Sequence, residues 1–266
     1  MEWQSIESRQ NPAVKFAASL AEKKARDAAG AFLADGSTIL TDLAVSGVFP
    51  EAVYLSSAVP FLKEEVECIL QDAPVKGYIL APHVFERLTA EKGSEGIVSL
   101  YDRRGLEEAL PLPRGGRLVA LENLQDPGNV GTVLRTAVSF GFDGVLLCGG
   151  ADPFGPKAVR ASMGAFAHIP VKTFPHTDAL MDYLQERGVK SYAACLHDTS
   201  VPVTELCPST PFCILIGNEG KGLSPRALER ADRKIVIPMR GMESLNAAVA
   251  AAVLMWEWGG KELSLE

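Results

Sequence analysis

Apolar and polar residues follow two different textures along this chain, and the change falls near residue 105. Before it, short apolar segments at 32–33, 39–40, 53–55, 77–79 and 97–100 alternate with helical patterns over 60–71 and 82–90. An earlier helix is predicted over 12–29, with Asn11 as N-cap and Gly30 as its stop. These spacings predict a small α/β domain over residues 1–105. The Pro- and Gly-bearing stretch GLEEALPLPRGG reads as a linker, placed at 106–116.

From residue 117 to 266 the pattern is regular. Near-continuous apolar runs RLVAL (117–121), GVLLC (144–148), SYAACL (191–196), FCILI (212–216) and KIVIP (234–238) predict buried strands. A turn at Asp126-Pro127-Gly128 precedes a helical pattern over 130–140, which Gly141 stops. Further helical patterns cover 156–165, 177–187 and 225–231. Such alternation indicates an α/β domain with a parallel sheet covered by helices. A last helix, 245–258, is rich in Ala and Val, with Ser244 as N-cap and Gly259-Gly260 as stop. It carries almost no charge before Glu257, so burial against the sheet or a partner subunit is expected.

Composition narrows the classes. With 47% hydrophobic and 22% charged residues the chain has no disordered signature. It contains no apolar run of about 18 residues, the length a membrane helix needs, and MEWQSIESRQNPAVK is no signal peptide. Five scattered cysteines never form CxxC, and four histidines (His83, His168, His176, His197) show no ligand spacing. A reduced, cytoplasmic protein without disulfides or metal is expected. The net charge of −7 argues mildly against a nucleic-acid partner. Two basic groups qualify this: Lys15, Lys23, Lys24 and Arg26, and Arg226, Arg230, Arg233, Lys234 and Arg240. Each fits a solvated helix face as well as an RNA patch, so charge leaves the partner open.

Ligands of open parallel sheets bind at the carboxyl ends of the strands. Three loops there are unusual: ENLQDPGNVGTVLR (122–135), GNEGKGLS (217–224) and PMRGMESLN (238–246). The second resembles a phosphate loop but fits neither GxxxxGK[ST] nor GxGxxG. Glu219 would repel a pyrophosphate there and suits a cationic or neutral ligand instead. A tight turn without a ligand explains the glycines equally well. Asn129 and Ser244 double as helix N-caps. Arg135, inside the apolar segment VGTVLRTAVSF, is expected to be paired or used, because an unpaired buried charge is costly.

Three blocks, NLQDPGNVGTVLRTA, ILIGNEGKGLS and IPMRGMESLNAAVAAAVL, resemble the three motifs of the SpoU (TrmH-type) RNA ribose methyltransferases in order and spacing. SRQNPAVKFAASL and VFERLTAEKGSEGIVSL are similar to the ribosomal-protein-like substrate-binding domain that many of these enzymes carry. The resemblance implies a C-terminal deep trefoil knot, a homodimer joined through the last helix, and active sites completed by both subunits. It implies S-adenosylmethionine as methyl donor, held by Gly217, Asn218, Gly220, Ile237, Met239 and Leu245, with Leu196 beside them. Catalytic positions carried over are Asn129, Arg135, Glu219, Ser244 and Asn246. Two departures are Asp35-Gly36, where many relatives have Glu-Gly, and the Met242-Glu243 pair before Ser244.

The implied reaction is transfer of the donor methyl to a ribose 2′-hydroxyl of structured RNA, ribosomal RNA before tRNA. Arg135 as a free base conflicts with its high pKa, so stabilisation of alkoxide character is its expected role. Glu219 is expected either to pair with Arg135 or to anchor its loop. Competing readings are base methylation within the same class and a non-catalytic RNA-binding factor. A dinucleotide-dependent oxidoreductase fits the alternation but lacks the phosphate fingerprint.

Overall fold

The structure is a computed structural model that describes residues 1–71, 73–89, 94–241 and 244–262. Met242 and Glu243, and part of the stretch following Thr89, lie outside the described residues. The chain forms two compact units, residues 1–110 with 152–167, and residues 111–151 with 168–266.

The first unit contains β1 (Trp3–Ile6), α1 (Pro12–Ser19), α2 (Lys23–Ala29), β2 (Ala31–Asp35), α3 (Ser37–Val45) and β3 (Ala52–Ser56). It continues through α4 (Leu62–Leu70), β4 (Lys76–Leu80), α5 (Pro82–Phe85), β5 (Ile97–Asp102) and α6 (Arg103–Ala109). The sheet order is β1-β4-β3-β5-β2. The first three strands of that order run parallel, and β5 runs antiparallel to β3 and β2. Alternate strand residues feed two cores. Leu33, Tyr54, Leu80 and Leu100 face α1 and α5, while Val53, Leu55 and Ile97 pack with Leu40, Val66 and Leu70.

The helix expected over 12–29 is two helices. Asn11 caps the first through its side chain, and Gly30 ends the second in the left-handed conformation at φ 64°. Between them the Arg26 guanidinium bonds the carbonyls of Leu20 and Ala21 at 2.7 Å each, replacing the ladder a continuous helix would need. The apolar pair 39–40 lies in α3 rather than a strand, because Ile39, Leu40 and Leu43 share one buried helical face. The expected linker begins inside α6, which Asp102 caps by accepting from the Arg104 and Gly105 amides. The expected helix over 82–90 keeps only its first turn as α5.

Residues 152–167 belong to this first unit although they lie far along the chain. Their helix (Pro156–Ser162) was expected among the helices of the C-terminal domain. Asp152 pairs with Arg26 at 2.7 Å, and both side chains are buried. Phe154 packs against Phe32 and Phe166 at 5.1 and 5.4 Å between ring centres, with the Arg103 guanidinium 4.5 Å above its ring. Helical periodicity marks an apolar face but does not say which core receives it.

The second unit contains β6 (Arg117–Glu122), α7 (Pro127–Ser139), β7 (Gly144–Cys148), β8 (Val171–Phe174) and α9 (Thr177–Glu186), the helix at 156–162 being counted as α8. Then come β9 (Lys190–Ala194), β10 (Val201–Pro202), β11 (Phe212–Ile216), α10 (Pro225–Arg230), β12 (Arg233–Val236) and α11 (Ala247–Trp258). All seven strands are parallel, in the order β10-β12-β9-β11-β6-β7-β8. The chain is therefore α/β with a helix-covered parallel sheet, as the apolar runs predict. On one face, Leu118, Ala120, Leu146, Ala193, Cys213 and Leu215 pack with α9 and α10. On the other, α11 packs on α7 and β11, and the Trp258 ring meets Tyr192 and Phe212 at 4.9 and 5.6 Å. Because the strands are parallel, their carboxyl ends lie along one edge, where the three unusual loops emerge.

Candidate active site

The first of these loops leaves β6 at Glu122. This carboxylate is 2% exposed. It accepts from the Ser224 amide and the Ser224 hydroxyl at 2.7 Å each, and from the Thr177 hydroxyl. Ser224 also caps α10 by accepting from Ala227 N. Glu122 thus ties the exit of the 217–224 loop to the start of α9. No sequence pattern assigned it a role, because a carboxylate ending an apolar strand reads as the edge of the core.

One residue on, Asn123 adopts φ 55°, and its carbonyl accepts from the Asn218 side-chain amide at 2.9 Å. The Asn218 carbonyl oxygen in turn accepts from the Gly220 and Lys221 amides, while its backbone bridges Gly222. Gly217 is required here: a Cβ would stand 2.2 Å from the backbone of Gly222 and Leu223. The 217–222 segment is a closed turn pinned at its centre by one asparagine.

Glu219, at the tip of that turn, accepts from the Asn129 amide at 3.0 Å and from the backbone of Gln125 and Asp126 at 3.2 and 3.3 Å. Burial pushes this carboxyl up. Hydrogen bonds from Asn129 and from backbone amides outweigh that and hold it below the usual value. The Asn129 carbonyl oxygen accepts from Asn246 at 3.2 Å, and Asn246 accepts from the Ala248 and Val249 amides at the start of α11. A single chain of hydrogen bonds, Glu219–Asn129–Asn246, therefore joins all three loops.

Two expected caps move. Asp126 caps α7, so Asn129 sits inside the helix with its amide released for Glu219 and Asn246. Pro127-Gly128 forms the first turn of the helix, where proline lacks nothing it could have donated. Asn246 caps α11 in place of Ser244, because its longer amide side chain reaches two backbone N–H groups. Ser244 instead lines a cleft.

That cleft, of about 290 Å³, lies at the ends of β9, β11 and β12. Gly217, Asn218, Glu219 and Gly220 line it, together with Leu196, Ile237, Met239, Ser244 and Leu245. All seven positions expected to hold the donor are present together, with Cys195 added from the end of β9. Mostly apolar walls, backbone polar groups and one carboxylate give a site for an uncharged heterocycle carrying a cationic centre. Among the described residues, no group of three or more His, Cys, Asp or Glu could hold a metal ion.

Arg135 stands apart. It is on α7 six residues beyond Asn129 but does not line the cleft. It is exposed, and among the described residues its guanidinium has no hydrogen-bond or ion-pair partner. The expectation that burial would force it to pair is corrected: Val130, Val133, Leu134 and Ala137 form the buried face of α7, and Arg135 is on the other. Glu219 anchors its loop and does not pair with Arg135.

Comparison with known proteins gives two domain matches. Residues 116–256 match the SpoU rRNA Methylase family, and residues 11–99 match the MRM3-like substrate binding domain. The 23S rRNA (guanosine(2553)-2'-O)-methyltransferase RlmP of Bacillus subtilis is 33% identical, across 96% of this chain and 99% of that protein. A tRNA (guanosine(18)-2'-O)-methyltransferase of Thermus thermophilus is 35% identical across 58% of this chain and 80% of its own. The AdoMet-bound rRNA methyltransferase of Sinorhizobium meliloti has a similar structure, with a TM-score of 0.85 at 28% identity, covering 98% of this chain and 99% of that one.

Proposed function

We propose, from the premise that this chain belongs to the SpoU rRNA Methylase family, that it is an S-adenosylmethionine-dependent RNA 2′-O-ribose methyltransferase whose substrate is ribosomal RNA. The observation that carries this reading is the cleft at the ends of β9, β11 and β12. It gathers the seven positions expected to hold the donor beside the Glu219–Asn129–Asn246 chain.

The residues fit the donor. Apolar Leu196, Ile237, Met239 and Leu245 suit an adenosine, the backbone groups of 217–220 suit its polar edges, and Glu219 favours positive charge near the cleft mouth. When bound, S-adenosylmethionine supplies an electrophilic methyl on a sulfonium centre. The protein orients the acceptor. A ribose hydroxyl is poorly acidic, so its developing negative charge needs a cation. Arg135 meets that need as a permanent guanidinium that stabilises alkoxide character and grips an adjacent phosphate. Asn129 and Asn246, held by each other and by Glu219, hold the acceptor side rigid, and Ser244 reaches it from the cleft wall.

The active form is a homodimer. Val249, Val253 and Trp256 leave apolar surface exposed along α11, from 37% to 49% of each residue, and a second copy would cover it. Sites completed by both subunits also account for an Arg135 guanidinium that takes no partner among the described residues of one chain. The C-terminal segment is knotted. Support comes from β12, which lies inside the sheet between β9 and β10 although it is the last strand. Ribosomal RNA is favoured over tRNA because the relative named for 23S rRNA matches both units, while the tRNA-specific relative spans only part of the chain. A cytoplasmic location follows from such a substrate, and no described helix is long and apolar enough to cross a membrane.

Calorimetric titration with S-adenosylmethionine, then tritiated-methyl transfer to unmodified ribosomal RNA and tRNA, tests the reading. Donor binding with alkali-resistant label in ribosomal RNA is expected. Failure of the folded protein to bind the donor would overturn it.

A further inference from the structure

The first unit contains a pocket of about 100 Å³, a third of the volume of the donor cleft. Leu33 and Asp35 enter it from β2, Val98 from β5, and Leu88 and Thr89 from the chain after α5. Pro156, Lys157 and Arg160 of α8 complete it. All of these residues belong to one compact unit. Five fall within the segment matching a substrate-binding domain, and three come from the chain that returns at 152–167.

We infer that this pocket binds a single guanine base of the RNA substrate, with Asp35 reading its Watson–Crick edge and Lys157 and Arg160 meeting the adjoining phosphate. The inference rests on the RNA reading above. Sequence-specific recognition of RNA proceeds through unstacked bases held by apolar or aromatic faces and hydrogen-bonded along their edges. Leu33, Leu88, Val98 and Pro156 provide the apolar walls, and the volume admits one ring system rather than a complete donor molecule.

The carboxylate decides which base. An ionised carboxyl only accepts hydrogen bonds, and it has about four lone-pair sites. Ser94 occupies one by donating to Oδ1 of Asp35 at 2.7 Å. Guanine presents two adjacent donors, N1–H and the exocyclic amine, which match a carboxylate in bidentate fashion. Adenine and cytosine each place a ring acceptor beside their amine, and uracil flanks its single N–H with two carbonyls. Each of those would set an oxygen or nitrogen lone pair against Asp35.

The electrostatics agree. Burial raises the Asp35 carboxyl, the Ser94 hydrogen bond and the Arg160 charge draw it down, and Glu95 pushes it up again. The result lies above the usual carboxylate value. The carboxylate thus carries a desolvation cost that its present partners only partly offset, and two further N–H donors would lower it. Lys157 is exposed and Arg160 half-buried on α8, placing two cations at the same pocket, as contact with a phosphodiester requires.

The test titrates guanosine and adenosine 5′-monophosphates into the full-length protein, with the donor cleft saturated by S-adenosylhomocysteine. GMP is expected to bind about tenfold more tightly than AMP, the discrimination a bidentate base contact supplies. Asp35→Asn should erase that preference. Lys157→Ala, on an exposed side chain, should weaken GMP while leaving guanosine unchanged. With ribosomal RNA, Asp35→Asn should raise KM several-fold and leave both kcat and S-adenosylmethionine affinity alone. Equal binding of the two nucleotides, no binding of either, or a GMP preference that survives Asp35→Asn would overturn the inference. If wild-type protein methylates no RNA, the substrate reading fails while the nucleotide titration still decides the pocket.

Discussion

The two sheets of this protein place their chemistry differently. In the second unit every strand is parallel, so every carboxyl end falls on one edge and three loops meet there. They are cross-linked by side-chain amides of Asn129, Asn218 and Asn246 and by the carboxylates of Glu122 and Glu219. In the first unit β5 runs antiparallel to its neighbours, so strand ends are divided between two edges. Its pocket is built from strand faces and from α8, and among the described residues Ser94 donates the hydrogen bond that Asp35 accepts, at 2.7 Å. A parallel edge gives a rigid, over-determined site suited to catalysis, whereas a mixed sheet leaves a looser one suited to recognition.

That contrast can be broken at its strongest point first. Arg135→Ala is expected to cut methyl transfer about a thousandfold, ~4 kcal/mol of transition-state stabilisation, with donor affinity and melting temperature unchanged. Retention of wild-type turnover in the tritium assay would remove Arg135 from catalysis. Arg26→Met should do the opposite. It strands the buried Asp152 carboxylate and frees the Leu20 and Ala21 carbonyls, costing about 3 kcal/mol of stability while S-adenosylmethionine binding to the folded protein persists. Calorimetric melting alongside ligand titration separates the two effects.

Gly217→Ala sharpens the comparison on the catalytic side. Its Cβ would meet backbone at 2.2 Å, so the turn must shift, and donor affinity should fall about tenfold with a stability loss of ~1–2 kcal/mol. The smallest effect concerns pH. The Glu219 carboxyl is lowered on folding from an ordinary value of 4.5, so its stabilisation is complete above that value and disappears as pH falls through the lowered one. Because Glu219 is exposed, the contribution is well under 1 kcal/mol. Wild type should exceed Glu219→Gln in urea midpoint near neutrality, and the gap should close in acid.

Much of this was legible in the chain. The five apolar runs became β6, β7, β9, β11 and β12, and Asn11 and Gly30 bound the first helices where capping chemistry puts them. Strands β1 and β8 were not legible, because WQSI and VKTF are edge strands half open to solvent and carry too few apolar residues. The two displaced caps share a cause: Asp126 and Asn246 compete with Asn129 and Ser244 for the same backbone donors, and three-dimensional reach decides the contest. The positions that motif resemblance assigns to the donor come from four separate segments, and the structure brings them to one cleft. The buried role of Glu122, and the destination of residues 152–167, depend on contacts between segments distant in sequence, which local periodicity does not encode.

The return of residues 152–167 to the first unit has a consequence for how this protein could be cut or recombined. The chain passes between the two units three times, after residues 110, 151 and 167. A gene fusion joined at residue 110 would give the N-terminal piece no Phe154, Phe166 or Asp152, and would leave Phe32 and Arg26 facing water. The remaining piece would carry an apolar helix with no core to enter. Exchange of substrate-recognition modules between enzymes built this way therefore demands two simultaneous replacements, and a single crossover yields a protein that must relearn how to fold.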